Sequence, residues 1–155
     1  MSKNDTTTAP LLENTVDSLK YGISNMDGVE LDLRMCSDKE LVLHHDTTLM
    51  IDNPLQEGYK KWTEQNSSDE LKEIGFFKLE DLLSDNEFLK LWSESSKLVC
   101  FEIKFPNPRS GLAGGWTKPS SAFNYAKEMC TNLHTMLEER ELLDLTSLIF
   151  SFYPK

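Results

Sequence analysis

The amino-acid sequence predicts an α/β fold. Short segments in which polar and apolar residues alternate strictly are typical of strands, and they are interleaved with segments whose apolar residues recur at helical spacing. Strands and helices that alternate along a chain indicate helices packed on a sheet. The chain has 155 residues, of which 39% are hydrophobic, and this is enough for one domain with a sizeable core.

The first half of the chain contains one helix and two strands in this interpretation. Asn14 or Thr15 can cap the helix, in which Val16, Leu19 and Ile23 have helical spacing. Strict alternation then indicates the first strand. The predicted elements are a loop over 1–13, a helix from about 15 to 25, a strand over 29–33, a turn over 37–40, a strand over 41–45 and a loop-rich excursion over 51–75.

The second half of the chain repeats this alternation. Leu79, Leu82 and Leu83 lie at the i, i+3, i+4 positions of a short helix, and a longer apolar stripe predicts an amphipathic helix before the last strand. The predicted elements are helices around 79–83 and 88–92, a strand over 98–105, a Gly/Pro/Ser loop over 107–120, a helix from about 121 to 142 and a strand over 148–152.

Composition narrows the possible partners. The net charge is −10 and no basic run is present, which argues against nucleic acid and anionic membranes as partners. No apolar stretch approaches the roughly 18 residues of a membrane span, and residues 1–10 have no apolar signal-peptide core. Cys36, Cys100 and Cys130 form no CxxC pair and are expected to be buried free thiols. We therefore expect a cytoplasmic location.

Carboxylates recur on one face of two predicted strands. Glu30 and Asp32 share a face because side chains alternate along a strand, and Glu102 and Lys104 share a face of a later strand for the same reason. The plain interpretation is a half-exposed sheet with a solvated polar face, which is common in antiparallel sheets.

The hairpin between the first two strands favours a functional interpretation. A tight turn at Asp38-Lys39 would place Asp32 opposite His45 and Glu30 opposite Thr47, with the side chains of each pair on one face. Crowded carboxylates need a compensating charge, which Mg²⁺ or Ca²⁺ can supply. His45 would supply an imidazole that can move protons, and Lys104 a positive charge suited to a phosphate. Together with the cation, these groups suggest metal-assisted hydrolysis of a phosphoester.

The same residues resemble the glycerophosphodiester phosphodiesterase family. The family's motifs run in the order HRG, ENT, ExD, HD, EIK and SF, and five of them occur in this order with typical spacing. They are Glu13-Asn14-Thr15, Glu30-Leu31-Asp32, His45-Asp46, Glu102-Ile103-Lys104 and Ser151-Phe152. Phe105-Pro106 and the Gly-containing insertion to Trp116 are similar to the eukaryotic branch that acts on glycerophosphocholine.

The resemblance implies a fold, a reaction and a set of site residues. The fold is a (β/α)8 barrel, present here as one partial domain over 1–155 that lacks the first strand and the closing strands, since a complete barrel needs roughly 250 residues. The reaction splits a glycerophosphodiester into glycerol 3-phosphate and an alcohol such as choline. The implied roles are a divalent cation (Mg²⁺ or Ca²⁺) on Glu30, Asp32 and Glu102, proton transfer by His45, phosphate contact by Lys104, and support from Glu13 and Asn14.

One motif departs from the family. HRG, which carries the first of two catalytic histidines, is absent from the sequence, and we expect a large loss of rate because hydrolysis needs both a base and an acid. The other two histidines do not replace it. His44 is expected off the site face in a packing or surface role, and His134 on a helix surface.

Two other interpretations remain. The chain could be a non-catalytic truncated barrel that binds metal or a protein partner, and open sheet edges could then lead to self-association. A phospholipase D-like relative that acts on choline lipids is the third, although the ENT and EIK motifs favour the glycerophosphodiester branch.

Overall fold

A five-stranded mixed sheet with most of the described helices on one face organises the protein. The computed structural model describes residues 12–49, 59–94, 96–107 and 119–152. The strands are β1 (Gly28–Met35), β2 (Leu41–Leu43), β3 (Phe77–Lys78), β4 (Leu98–Ile103) and β5 (Ser147–Phe150). The helices are α1 (Val16–Asn25), α2 (Ser68–Glu73), α3 (Leu79–Leu83), α4 (Asn86–Glu94) and α5 (Pro119–Glu139), and Thr63–Gln65 form a 3-10 turn.

The strand order is β3-β2-β1-β4-β5. β1, β4 and β5 are parallel, and helices occur in the connections between them. β2 pairs antiparallel with β1, and β3 pairs antiparallel with β2. The sheet therefore combines a parallel part (β1, β4 and β5) with an antiparallel extension (β2 and β3) at one edge.

The two faces of β1 have different environments because its side chains alternate. Leu31, Leu33 and Met35 are buried in the main core with residues of β4 and the packed helices. Trp92 of α4 lies in this core, contacts Phe101 and donates its indole N–H to the carbonyl of Thr146 at 3.0 Å. The other face of β1 carries the polar side chains that form the candidate site.

A smaller apolar cluster covers the polar face near the end of β1. Cys36, Val42, Leu49 and Leu71 are buried together there, with α2 providing Leu71. The capping box of Ser67 and Glu70 fixes the start of α2. This cluster shields from solvent the part of the polar face that lies near the end of β1.

The α/β prediction and most of the predicted elements are confirmed. The helices expected near 15–25, 79–83 and 88–92 are α1, α3 and α4, and the helix expected at 121–142 is α5, which begins and ends somewhat earlier. Thr15 is the N-cap of α1, in a capping box with Ser18.

Two elements were missed and some bounds differ. Within the excursion expected over 51–75, residues 68–73 form α2, and β3 was not anticipated because two residues carry no periodicity. The third predicted strand ends at Ile103, two residues early. Residues 108–118, with most of the predicted Gly/Pro/Ser loop and Trp116, lie outside the described residues.

The predicted register of the hairpin is wrong by one residue. β1 pairs Leu33 with Leu43 and Met35 with Leu41, so Asp32 lies opposite His44 rather than His45, and Glu30 is not opposite Thr47. The backbone N–H of Cys36 donates to the carbonyl of Glu40 at 2.9 Å, which leaves a three-residue loop over 37–39. Its last residue, Lys39, has a left-handed φ of 74°. The prediction assumed a two-residue turn, and the extra residue shifts every pair.

The expectation of buried free thiols holds in full for one of the three cysteines. The three cysteines are free thiols, with Cys36 buried and Cys100 and Cys130 half-buried. His134 is exposed on α5, as predicted. Trp92 is a core residue. None of the helices in the described ranges is long and apolar enough to cross a membrane.

The start of α4 provides a test of the helix caps. Asp85 precedes this helix, and its Oδ1 accepts hydrogen bonds from the backbone N–H groups of Phe88 at 2.9 Å and Glu87 at 3.0 Å. The bond from Phe88 lowers the pKa of Asp85, and Lys20 adds to this effect.

We expect Asp85→Ala to lower the free energy of unfolding by about 1 kcal/mol at pH 7. A lowered carboxyl pKa stabilises the fold above its unfolded value of about 3.9, so the difference should shrink as the pH falls below about 4. Urea denaturation at several pH values measures it. Asp85→Asn, which keeps the cap without the charge, is the control, and an Ala variant with a constant deficit down to pH 2 would contradict this account.

Candidate functional site

Three carboxylates converge on the polar face of β1 and β4. The parallel register places Asp32 beside Glu102, and residues so paired point to the same face. One ligand oxygen from each of Glu30, Asp32 and Glu102 lies within 4.8 Å of the others. Asp32 and Glu102 are buried, at 6% and 7% exposure, whereas Glu30 is exposed at the mouth of the cluster.

Lys104 partly compensates the charge of this cluster. Its Nζ lies 2.9 Å from Oδ1 of Asp32 and 2.7 Å from Oε1 of Glu102. Burial disfavours the charged amine, but the hydrogen bonds to Glu102 and Asp32 outweigh it, and the pKa of Lys104 is raised. The lysine is therefore a fixed positive charge between the two buried carboxylates.

The negative charge that Lys104 does not balance affects the pKa of Glu30. Desolvation raises the pKa of Glu30, and the charges of Asp32 and Glu102 raise it further, against the opposing effects of Lys104 and His45. Three carboxylates outnumber the single lysine by two charges. Hard divalent cations take carboxylate oxygens, so the donor set and its charge fit a cation such as Mg²⁺ or Ca²⁺.

Asn14 holds Asp32 by two hydrogen bonds. Its Nδ2 donates to Oδ2 of Asp32 at 2.8 Å, and its Oδ1 accepts the backbone N–H of Asp32 at 3.0 Å. Asn14 has a left-handed φ of 55°, which asparagine tolerates better than most residues. Glu13 is exposed beside it and, with Asn14, Glu30 and Asp32, lines a cavity of about 220 Å³.

His45 follows the end of β2 and lies close enough to the cluster for its charge to act on Glu30. Its Nδ1 is 2.9 Å from Oδ1 of Asp46, and its side chain is 54% exposed. The hydrogen bond with His45 lowers the pKa of Asp46. Among the described residues, no histidine belongs to the group whose possible ligand atoms lie within 4.8 Å of one another. His45 is therefore a neighbour of this group and not a member of it.

His44 occupies the position opposite Asp32 but has a packing role. Its backbone N–H donates to the carbonyl of Asp32 at 3.0 Å, its Nε2 lies 3.2 Å from the carbonyl of Thr48, and its ring packs edge-on against Phe76. Because β2 ends at Leu43, strict alternation no longer fixes the faces of His44 and His45.

The chain is similar to the proteins of one known family. The sequence model of the glycerophosphoryl diester phosphodiesterase family matches residues 3–106, about two thirds of the chain. The chain belongs to this family. Family members are phosphodiesterases with a (β/α)8 barrel fold and are generally metal-dependent. No curated protein matches the chain.

Solved structures of family members resemble this fold. A glycerophosphodiester phosphodiesterase from Thermotoga maritima superposes with a TM-score of 0.58 at 21% identity, over 92% of this chain and 49% of its own. One from Parabacteroides distasonis gives 0.61 at 19% identity, over 90% and 50%. At this identity the likeness concerns the fold, and the chain spans about half the length of these relatives. The sheet is thus a partial barrel sheet.

Within the family motifs, the structure brings together most of the predicted site residues. ExD and EIK meet through the β1–β4 register, and Asn14 of ENT contacts the Asp of ExD. His45 of HD lies beside them. Ser151 of SF donates its hydroxyl to the carbonyl of Ile103 at 2.5 Å, which joins the end of β5 to EIK.

Sequence reasoning missed two buried charged residues next to this site. Arg34 continues the alternation of Glu30 and Asp32 and is buried on the same face, and the buried carboxylate of Glu64 lies 3.7 Å from it. The period-two pattern contains a signal for Arg34, because it predicts a charged side chain on the site face. Glu64 lies in an irregular segment without such a pattern.

Lys104 provides a test of the charge balance. We expect Lys104→Met to lower the free energy of unfolding by about 3–5 kcal/mol, because it leaves two buried carboxylates without their cationic partner. Urea denaturation in a buffer free of divalent cations measures the loss.

The matched control is Lys39→Met. Lys39 forms an exposed ion pair with Glu128 at 3.0 Å, and such pairs contribute only about 0–1 kcal/mol. Equal effects of the two substitutions would contradict the view that Lys104 balances the buried carboxylates.

Proposed function

We propose that this chain forms a divalent-cation-dependent site that hydrolyses glycerophosphodiesters, such as glycerophosphocholine, to glycerol 3-phosphate and an alcohol. The observation that carries the proposal is the convergence of Glu30, Asp32 and Glu102 around Lys104, within the motifs of the family. Phe105-Pro106 and the insertion that follows it support glycerophosphocholine as the substrate.

In this proposal Glu30, Asp32 and Glu102 hold Mg²⁺ or Ca²⁺. When bound, such a cation supplies Lewis-acid polarisation of a phosphoryl oxygen. Asn14 orients Asp32 by bonding both its carboxylate and its backbone N–H. Glu13 supports the same wall of the cavity. Lys104 offers a positive charge that can contact the substrate phosphate at the edge of the carboxylates.

His45 transfers a proton in this proposal. The lowered pKa of Asp46 keeps that carboxylate ionised, so it can only accept a hydrogen bond. Nδ1 of His45 must therefore carry the proton that lies between them. The lone pair then lies on Nε2. A carboxylate that fixes the tautomer of an imidazole in this way is a recurrent arrangement in acid–base catalysis.

A second candidate is a non-catalytic module that binds the cation. The observation that favours it is the absence of HRG from this sequence, and with it of one of the two proton-transfer histidines. His44 is committed to Thr48 and Phe76 and does not replace it. We therefore expect slow turnover by this chain. The free thiols support our further proposal of a cytoplasmic location.

The first test measures binding and turnover separately. Calorimetric titration with Mg²⁺, Ca²⁺ or Mn²⁺ should show one site, and release of glycerol 3-phosphate from glycerophosphocholine should require the cation. Asp32→Asn should abolish both, since it removes a charged ligand. Asp17→Asn, on the exposed first turn of α1, is the matched control and should change neither.

The outcomes separate the two candidates. Slow, cation-dependent release that Asp32→Asn abolishes supports the phosphodiesterase. Cation binding without any release supports the non-catalytic module. A chain that folds but binds no divalent cation contradicts both.

The second test concerns Asn14. We expect Asn14→Ala to weaken cation affinity by about 10–100-fold, because groups that orient a ligand carboxylate have effects of this size. Asn25→Ala is the control, since Asn25 is exposed and its Nδ2 donates to the carbonyl of Tyr21 at 2.7 Å, within its own helix. Unchanged affinity in Asn14→Ala would exclude a supporting role for this residue.

A further inference from the structure

Arg34 is buried at the end of β1 and bonds two backbone carbonyls. It is 3% exposed. Its Nε and Nη2 donate to the carbonyl of His45 at 3.2 and 2.7 Å, and its Nη1 donates to the carbonyl of Phe105 at 3.1 Å. One guanidinium therefore joins the loop that follows β2 to the loop that follows β4.

Glu64 completes this connection from the other side. It is fully buried, and its Oε1 lies 3.7 Å from Nη1 of Arg34 and accepts the backbone N–H of Asn107 at 2.9 Å. The neighbouring Thr63 donates its backbone N–H to the carbonyl of Thr47 at 3.2 Å. The segment around Glu64 thus bonds the same two loops as Arg34.

These loops carry two site residues, His45 and Lys104, that lie outside the strands. His45 is itself bonded by Arg34, and Lys104 directly precedes Phe105. Arg34 lies two residues after Asp32 on the same strand face, so its position is fixed relative to the carboxylates. The register of β2 does not place His45, because β2 ends at Leu43.

We propose that Arg34 is a positioning residue that holds the His45 backbone so that the imidazole stays beside Glu30, Asp32 and Glu102. The inference rests on the proposed role of His45 at that site. Arginine suits the task because its planar fork of donors reaches both carbonyls at once, whereas lysine presents a single point charge. Without the guanidinium, the His45 loop loses two of the bonds that tie it to β1.

The experiment uses Mn²⁺ alone as a paramagnetic probe of the folded chain. Bound Mn²⁺ broadens the NMR signals of nearby protons, and the imidazole signals are few because the sequence has three histidines. His45→Gln and His134→Gln assign them. In the wild type, we expect broadening of His45 and none of His134, which is exposed on the helix that covers the opposite face of the sheet.

In Arg34→Met we expect Mn²⁺ binding to persist while the broadening of His45 weakens relative to that of His44, because broadening falls steeply with distance and His44 remains bonded to Asp32. Arg34→Lys should fold at least as well and show a partial loss. Arg140→Met is the matched control, since Arg140 also bonds a backbone carbonyl, that of Met136, and a carboxylate, that of Glu80, away from the site. It should leave the His45 broadening unchanged.

Each outcome decides between the two proposals. Broadening of His45 that is as strong in the folded Arg34 variants as in the wild type overturns the inference and leaves the proposed function standing. No Mn²⁺ binding, or no broadening of His45, in the wild type contradicts the proposed function, and the inference fails with it. If Arg34→Met does not fold, Arg34→Lys decides, because a residue that only stabilises the fold would leave the His45 broadening intact in a folded variant.

Discussion

Lys104 lies between two carboxylates that the sheet buries side by side. Asp32 and Glu102 are adjacent because β1 and β4 are parallel and pair in one register, and without a cationic partner their mutual repulsion would oppose that register. The same pairing brings Leu31 beside Phe101 and Leu33 beside Ile103 on the opposite face. The core and the site therefore depend on one alignment: apolar burial fixes it from the helix side, and Lys104 makes it tolerable on the polar side.

The polar face is built in two parts. Near its mouth, Glu30 is exposed and negative charge remains in excess, as a site for a cation requires. Deeper along β1, Arg34 and Glu64 are buried as an opposite-charge pair whose remaining bonds go to loop backbone. Such a buried pair contributes little net stability, so its value lies in defining where the loops run. The excess negative charge and the opposite-charge pair thus lie at different positions along the same polar face.

The sequence was sufficient for the parts of the fold that follow from periodicity. α1, β1, α4 and α5 carry long regular patterns, and the alternation of Glu30 and Asp32 correctly predicted a shared face. The hairpin register depended on whether the turn has two or three residues, and the left-handed Lys39 that decides this has no compositional signal. The roles of the site residues came from family motifs. Arg34 was overlooked because its partners are backbone carbonyls, which are identical at every position and invisible to motif analysis.

Asn14 directly precedes the N-cap of α1, yet both its hydrogen bonds to Asp32 cross to β1. Asp32 is therefore held in its orientation only while α1 is docked on the sheet. Elements of a fold differ in how readily they open locally, and a ligand that binds only the closed form suppresses such opening. Occupancy of the carboxylate site should therefore slow amide hydrogen exchange along α1, so that a helix without any ligand residue of its own reports on the state of the site.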